Sequence, residues 1–326
     1  MAVEVRPAEA SDRPLLLALS EAAFGAPANA AEWAWKYDAN PHRAVSVIAV
    51  EGGRAVGFFG ALGTRYRGPG RDVPGAATAD VMTHPDARRL GHRNVFSDVG
   101  RTYVTINERA GIPFDFGFPN ERARRAEERL LGVKTIEPAG QLARSLDRPL
   151  PRSRLSRLSL RRVRRFAAFG AAHDRLAEAL HAAPGWRTDR SSAALNWRIG
   201  ARPGVTYELF HAVDLAGRVG AFAAVRIVND RALLVDLQAE DVDGGGLADL
   251  LAGVAADVAD RARVLEARLP RRGALYARLA GALGFTEAAT DTHLVVRAFR
   301  GEVDPVAEGA EFDYRFLDHR RKGRIP

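Results

Sequence analysis

One stretch, Ala79–Asn94, decides the fold and reads ADVMTHPDARRLGHRN. Its apolar residues Val81 and Met82 are typical of a β-strand, and a basic loop that contains a glycine follows at 88–93. Apolar side chains then recur at helical spacing over 95–106. The first turn of a helix leaves backbone N–H groups unpaired and carries positive potential. A strand, a basic loop and a helix in this order therefore predict a site that binds an anion.

The composition excludes several classes of protein. The chain has 326 residues, which suggests two domains of ordinary size, and it has no cysteine, which excludes disulfides, thiolate metal sites and a cysteine nucleophile. The net charge is +8, and arginine carries nearly all of it because there are only three lysines. Codon bias accounts for such a composition, and so does a polyanionic partner, either a small molecule that carries phosphates or a nucleic acid.

Membrane and metal signals are both missing from the sequence. No apolar run has the length of a membrane span, and the N-terminal residues MAVEVRPAEASDRP lack the apolar core of a signal peptide. We therefore expect a cytoplasmic protein. The eight histidines show no spacing typical of metal ligands, so we expect no metal.

The second half of the chain repeats motifs of the first half in the same order, at offsets of about 150–165 residues. The five pairs are Trp35-Lys36 and Trp197-Arg198, Gly53–Gly57 and Gly217–Gly220, Asp80 and Asp236 within apolar strands, Phe114–Pro119 and Leu265–Pro270, and Leu131–Val133 and Leu283–Phe285. This order indicates a duplicated domain.

The domain boundaries follow from the repeat and from a change in composition. We expect a first domain at 1–137, which carries the basic loop, and a second domain at 186–300, followed by a C-terminal tail at 301–326. Between the domains, 138–185 is rich in arginine and reads as a basic, partly helical connecting segment. Such a segment is a solvated linker or a surface that contacts a membrane or a nucleic acid.

Three motifs of the first half resemble the GNAT acyltransferase superfamily, in particular its two-domain, tandem branch. They are Trp33–Tyr37 followed by Asn40-Pro41, the strand end Thr83–Asp86, and Gly117–Asn120. The resemblance implies an α/β fold with two tandem GNAT-like mixed sheets, each flanked by helices. It also implies that acetyl-CoA or another acyl-CoA binds as a co-substrate where two adjacent parallel strands splay apart.

The basic loop resembles the family's Arg/Gln-x-x-Gly-x-Gly/Ala motif, which holds the pyrophosphate of acyl-CoA. Arg88 and Gly91 match this motif, whereas Arg93 stands where the family has a small residue. The resemblance therefore implies a set of cofactor-binding residues in the strand, in the loop and after the next strand. They are Met82, Thr83, Arg88, Arg89, Leu90, Gly91, His92, Arg93 and Asn120.

Acyl transfer to an amine requires a group that removes a proton from the amine and a group that protonates the leaving thiolate. Candidates for the general base are Asp80, Asp115 and Glu121, which lie within or just after the motif strands. A structural, hydrogen-bonded acid is the other interpretation of Asp80. Trp33 and Tyr37 are candidates for an acceptor pocket.

The second copy of the loop, Glu240–Leu247, has three acids and no base, and these acids would repel a pyrophosphate. We therefore expect the second domain to lack a cofactor.

The leading hypothesis is an acyl-CoA-dependent N-acyltransferase that transfers an acyl group, expected to be acetyl, directly to the amine of a small metabolite or sugar with general-base assistance. An aminoacyl transferase that uses aminoacyl-tRNA is one alternative, because the chain is basic and its loop departs from the family motif. A non-catalytic binding module with the same fold is the other.

Overall fold

The computed structural model describes residues 2–68, 70–88, 94–151, 161–181, 185–299, 303–305 and 312–315. These residues form two compact units. The first unit comprises the described residues of 2–137 and 292–305, and the second comprises those of 138–291 and 312–315. Each unit therefore contains a segment from a distant part of the chain.

The strands of the first unit are β1 Glu4–Pro7, β2 Val47–Glu51, β3 Arg54–Gly68, β4 Arg71–Thr83, β5 Phe114–Gly117, β6 Lys134–Pro138 and, from the far end of the chain, β15 His293–Ala298. Those of the second unit are β7 Gly140–Ser145, β8 Arg161–Phe166, β9 Trp186–Thr188, β10 Glu208–Asp214, β11 Val219–Val228, β12 Arg231–Ala239, β13 Val264–Leu269, β14 Thr286–Glu287 and β16 Phe312–Asp313.

The α-helices of the first unit are α1 Arg13–Phe24, α2 Ala30–Trp33, α3 Val95–Arg109 and α4 Glu121–Leu131. Those of the second unit are α5 Ala171–His181, α6 Ser192–Leu195, α7 Gly245–Val258 and α8 Ala274–Ala282. Short 3₁₀ turns cover Ala10–Asp12 and Asp86–Arg88, and π-helical turns cover Ala34–Asp38 and Asn196–Gly200. In the described residues, none of the helices has the length and apolar character needed to span a membrane.

Each unit contains a mixed sheet. The strand order is β1-β2-β3-β4-β5-β15-β6 in the first unit and β14-β7-β13-β12-β11-β10-β8 in the second. In the first sheet β4 and β5 run parallel, and in the second β12 and β13 run parallel. Parallel neighbours need a long crossover, and α3 and α7 provide it. The prediction of two tandem mixed α/β sheets is confirmed.

Helices cover both faces of the first sheet. On one face, Leu16 and Leu19 of α1 pack in a buried cluster with Met82 of β4. On the other face, Val99 and Tyr103 of α3 pack in a separate cluster, as their helical spacing predicts. β4 and β5, at the centre of the sheet, therefore lie between α1 on one face and α3 on the other.

The two halves of the chain exchange a strand. β15, from residues 293–298, lies between β5 and β6, and β7, from residues 140–145, lies between β13 and β14. The segment 138–185, expected to connect two domains, instead supplies β7, β8 and α5 to the second unit, and the expected second domain gives β15 to the first. Hydrogen bonds between strands that are far apart in the sequence fix this arrangement. No local sequence pattern therefore predicts it.

Both halves place a π-helical turn at the tryptophan motif. Trp35 lies in Ala34–Asp38 and Trp197 in Asn196–Gly200. π-helical turns are rare, so their recurrence at matched positions supports the duplication that the sequence predicts.

We expect Gly75→Ala to destabilise the first unit by about 1–3 kcal/mol, the usual cost of overpacking. A Cβ at Gly75 would lie 1.8 Å from Cε2 of Tyr66. The Tyr66 ring cannot easily move, because its hydroxyl donates to the Ala76 carbonyl and its ring packs 4.4 Å from that of Phe114. The measurement is urea-induced unfolding. The control is Gly281→Ala in α8, where a Cβ meets open space; equal effects of the two substitutions would contradict the packing argument.

Candidate active site

Strands β4 and β5 separate at the centre of the first sheet. In the described part of the chain they pair over only two positions, Ala76 with Asp115 and Ala77 with Phe116. β4 then continues to Thr83. The two strands thus form a cleft that begins where their pairing ends.

The backbone of β4 turns hydrogen-bonding groups toward this cleft. The N–H of His84 donates to the carbonyl of Val56 on β3 at 2.9 Å. In an antiparallel pair the inter-strand hydrogen bonds engage every second residue, so the N–H and C=O of Thr83 point away from β3. The same alternation applies to Val81. A ligand between β4 and β5 can therefore meet backbone donors and acceptors.

A β-bulge in β4 carries Asp80. The register shifts between Phe58 and Gly60 on β3, so Asp80 and Val81 together oppose Phe59. Asp80 has a φ of 52°, a left-handed conformation that is uncommon for residues other than glycine and costs on the order of 1 kcal/mol or more. Bulges of this kind redirect side chains and are frequent beside functional sites.

Two side chains of the turn Ala34–Asp38 bind the Asp80 carboxylate. Lys36 Nζ lies 3.0 Å from Oδ2, and the Tyr37 hydroxyl donates to the same oxygen at 2.8 Å. The side chains of Lys36 and Asp80 are only 2% and 4% exposed. Because an isolated buried charge is costly, the carboxylate and the ammonium stabilise each other. We call Lys36, Tyr37 and Asp80 the Asp80 cluster.

A cavity of about 380 Å³ adjoins the Asp80 cluster. Aromatic rings form part of its wall: the ring centroid of Trp33 lies 4.9 Å from that of Tyr37 and 5.5 Å from that of Phe58. The polar and charged side chains that line it include Glu9, Arg13, Lys36, Asp38, Asn40, His42, Arg43 and Ser46. The structure thus brings Trp33 and Tyr37, the two candidates for an acceptor pocket, to one cavity together with Asp80 beside it.

The Asn40-Pro41 motif holds one wall of the cavity. Asn40 Nδ2 donates to the carbonyl of Gly63 on β3 at 3.2 Å, and its Oδ1 accepts from the His42 N–H at 2.9 Å. The loop lies so close to β3 that a Cβ at Gly63 would be 2.3 Å from the His42 carbonyl oxygen. The wall is therefore fixed to the sheet by hydrogen bonds and by contact.

Asp115, the second candidate base, lies in the core. It is buried and forms an ion pair with Arg297 of β15. Burial raises the pKa of the Asp115 carboxyl, and Arg297 opposes that rise. The Arg297 guanidinium also lies over the rings of Phe59 and Tyr103. Side chains of the core thus enclose the Asp115 carboxylate, which is typical of a structural acid.

Glu127 of α4 joins this buried group. It is 4% exposed, and burial raises the pKa of its carboxyl to about 7, while the charge of Arg297 acts in the opposite direction. The negative charge of Asp115 adds to the rise. Glu127 is thus largely protonated in mildly acidic solution, and its ionisation works against folding.

Glu121, the third candidate base, and Asn120 serve the start of α4. Asn120 Oδ1 accepts from the Ala123 N–H at 3.0 Å and caps the helix. Hydrogen bonds from Arg124, and then from Arg125, hold the pKa of the Glu121 carboxyl at about 2. A carboxyl group with so low a pKa is a weak base near neutral pH, which disfavours Glu121 as the general base.

The predicted cofactor residues fall in three places. The Met82 side chain is buried, whereas the Thr83 backbone faces the cleft. Arg88 ends the turn Asp86–Arg88. Its side chain and all of Arg89, Leu90, Gly91, His92 and Arg93 lie outside the described residues, so their contact with a cofactor stays a prediction.

Lys36 is the site residue that the sequence analysis missed. It was used only as a marker of the repeat, since lysine seldom lies in a core. A signal was present, because Lys36 is one of three lysines in the chain and lies between aromatic residues in WAWKY.

The part of the chain that the structure describes contains no group of three or more His, Cys, Asp or Glu side chains that could hold a metal ion.

Residues 4–125 match a family model described as an acetyltransferase (GNAT) domain. No curated protein matches the chain. Among solved structures, a probable N-acyltransferase of unknown function from Enterococcus faecalis V583 matches with a TM-score of 0.71 and 10% identity, over 92% of this chain and 73% of the other.

Two further structures are similar over most of their length. A GCN5-related N-acetyltransferase from Kribbella flavida has a TM-score of 0.64 and 18% identity, over 91% of this chain and 71% of the other. A tandem GNAT protein from the clavulanic acid biosynthesis pathway has a TM-score of 0.60 and 16% identity, over 93% of this chain and 100% of the other. These likenesses establish a tandem GNAT fold, and residues 4–125 are similar in sequence to a GNAT acetyltransferase domain.

The buried Glu127 predicts a pH dependence of stability. Its pKa is raised in the folded state, so between about pH 4.5 and pH 7 the folded chain keeps a proton that the unfolded chain has lost. Stability therefore falls as pH rises through this window, by up to about 3 kcal/mol from this group. We expect Glu127→Gln to remove that loss. The free energy of unfolding of the variant, relative to that of the wild type, should therefore be higher at about pH 8 than at about pH 5.

The measurement is urea-induced unfolding of both proteins at both pH values. Glu128→Gln is the matched control, because hydrogen bonds from Thr135 and Arg124 lower the pKa of the neighbouring Glu128 carboxyl, which is therefore ionised throughout this range. An unchanged difference between wild type and Glu127→Gln at the two pH values would contradict the prediction.

Proposed function

We propose that this chain, which has the tandem GNAT fold, is an N-acyltransferase that moves an acyl group from acyl-CoA to the amine of a small metabolite or sugar. The observation that carries the proposal is the cleft between β4 and β5, with the Asp80 cluster on the bulge of β4 and the cavity beside it. Acetyl is the acyl group we expect, and the compartment we expect is the cytoplasm.

The cleft suits the pantetheine arm of acyl-CoA. That arm carries amide groups, which pair with a free strand edge as a peptide does. The Thr83 N–H and C=O point into the cleft and supply such an edge. α3 begins just beyond the basic loop, with Asn94 as its N-cap, and the N-terminus of a helix after arginines suits a pyrophosphate. Acyl-CoA supplies an activated thioester carbonyl to this site.

The Asp80 cluster suits the proton transfers of the reaction. The amine nitrogen forms a bond to the carbonyl carbon, the carbon–sulfur bond breaks, and one proton passes from nitrogen to the leaving sulfur. The Tyr37 hydroxyl donates to Asp80 and lines the cavity, so a proton from the amine can pass through its oxygen to the carboxylate. Lys36 holds the carboxylate in place and balances its charge. In this proposal Tyr37 touches the amine, and Lys36 is a positioning residue.

The cavity suits a small acceptor. Its volume of about 380 Å³ falls within the range of small-molecule sites. Trp33 and Phe58 offer apolar surface, while Asn40 and Ser46 offer polar groups. An amine with both apolar and polar parts matches this lining.

A second candidate function is aminoacyl transfer from aminoacyl-tRNA. It is favoured by β8, where Arg161, Arg162 and Arg164 are exposed on one strand of the second unit. Salt-sensitive binding of bulk tRNA, together with no binding of acetyl-CoA, would favour this function.

Arg88→Ala should weaken the binding of acetyl-CoA by about 10- to 150-fold, or roughly 1.5–3 kcal/mol, because a donor to the pyrophosphate is lost. Isothermal titration calorimetry provides the measurement. Arg109→Ala, at the opposite end of α3, is the control and should bind normally. An unchanged dissociation constant for Arg88→Ala would remove Arg88 from the cofactor site.

Asp80→Asn and Tyr37→Phe should each lower kcat by about 10²–10⁴-fold, the range for general acid–base groups, with little effect on the affinity for acetyl-CoA. The assay follows release of the free CoA thiol with a panel of primary amines. Asp72→Asn is the control, since Asp72 lies in β4 but pairs with Arg65. A folded Asp80→Asn variant with full activity would mean that Asp80 is a structural acid.

A further inference from the structure

The second unit has a cleft of the same kind as the first. β12 and β13 pair in parallel from Arg231 with Val264 to Leu234 with Ala267, and β12 then continues to Ala239. A bulge also occurs close to this point, because the register with β11 shifts at Val235, next to Asp236, the repeat partner of Asp80. Duplication has therefore preserved the separation of two parallel strands.

The backbone of β12 also turns toward its cleft. The N–H of Glu240 donates to the carbonyl of Gly220 on β11 at 2.9 Å. By alternation along the strand, the N–H and C=O of Leu237 point away from β11. The N–H donates to Oδ1 of Asp236 at 2.9 Å, and the C=O faces the cleft. Leu237 follows Asp236 as Val81 follows Asp80, so this carbonyl lies at the position that Val81 has in the first unit.

A segment from the C-terminal end of the chain lies in this cleft. Arg315 Nε donates to the Leu237 carbonyl at 2.9 Å. Its neighbour Tyr314 accepts, at its hydroxyl, a hydrogen bond of 3.0 Å from the N–H of Gly140. Gly140 is paired with Leu269, the last residue of β13. Two consecutive side chains thus contact β12 and β7, the strands on either side of β13.

The segment is tightly held. Arg315 and Tyr314 are each only 2% exposed, and Phe312 is also buried. Ahead of them, Phe312 and Asp313 pair in parallel with Trp186 and Arg187 of β9. A buried guanidinium requires several hydrogen-bond partners, and Arg315 also donates to Asp313 and to the Tyr314 carbonyl. These contacts make the segment part of the folded second unit.

The start of α7 is closed to a pyrophosphate as well. Asp241 Oδ1 accepts from the N–H of Gly244, the N-cap residue of α7, at 2.7 Å. The carboxylate therefore binds the N–H of the residue that precedes the first turn, and its charge would repel an anionic ligand at this helix N-terminus.

We infer that the cleft of the second unit is a binding site for the chain's own residues 312–315, which take the place of acyl-CoA there. The identity of the ligand that they replace rests on the proposed function; the contacts do not. The segment satisfies the Leu237 carbonyl that the splayed strands expose, so the second unit needs it for stability and binds no cofactor. Each chain accordingly binds one acyl-CoA.

The test uses full-length variants and two measurements that need no cofactor. Tyr314→Phe removes only the hydroxyl that accepts from Gly140, and it should raise the exchange rate of the Gly140 amide by about fivefold to tenfold, the loss of one hydrogen bond. Arg315→Ala should lower the Tm of the second unit by about 2–4 °C or more. Arg162→Ala, an exposed arginine of the same unit, is the control and should change neither quantity.

Calorimetric titration of the wild type with acetyl-CoA supplies the third measurement, and we expect one equivalent per chain. Two equivalents per chain, or wild-type exchange at Gly140 in Tyr314→Phe together with a wild-type Tm in Arg315→Ala, would overturn the inference. If no acetyl-CoA binds, the proposed function is wrong, and the exchange and thermal measurements still decide whether the cleft holds the C-terminal segment.

Discussion

Parallel strands that separate partway along their length leave backbone N–H and C=O groups without a strand partner. A buried backbone group without a partner costs about 1–3 kcal/mol, so an occupant that pairs with these groups and excludes water stabilises such a cleft. In the second unit, Arg315 meets the carbonyl of Leu237. In the first unit, the N–H and C=O of Thr83 face a cleft that lies beside the Asp80 cluster and the cavity. The same constraint thus has two solutions in one chain.

The Asp80 cluster shows how the fold supports an otherwise unfavourable arrangement. A left-handed aspartate, a buried ammonium and a π-helical turn are each uncommon. They occur together because the carboxylate that the bulge directs inward receives its partners from the turn Ala34–Asp38. Each of these features is costly alone, and their concentration at one point is typical of a site that has been shaped for function.

Much of the fold could be predicted from the sequence, since the periodicity of α3, the duplication and the family motifs all report local structure. The sequence also singles out Asp80, Trp33 and Tyr37, which the structure places together beside one cavity; their roles in the reaction stay predictions. The exchange of β7 and β15 could not be predicted from the sequence. Pairing between β5 and β15 joins residues that are far apart in the chain and leaves no local pattern. The roles of Asp115 and Glu121 depend on Arg297 and Arg124, and a sequence does not show which arginine reaches which acid.

The exchanged strand β15 has a consequence for synthesis of the chain on the ribosome. β15 lies between β5 and β6, so the first sheet lacks an inner strand until residue 298 has been made. β6 ends at residue 138. At translation rates of roughly 5–20 residues per second, the edge of β5 therefore stays open for on the order of ten seconds. An open strand edge can pair with other chains, and a gene fragment that ends between the two halves would encode a first sheet that never closes.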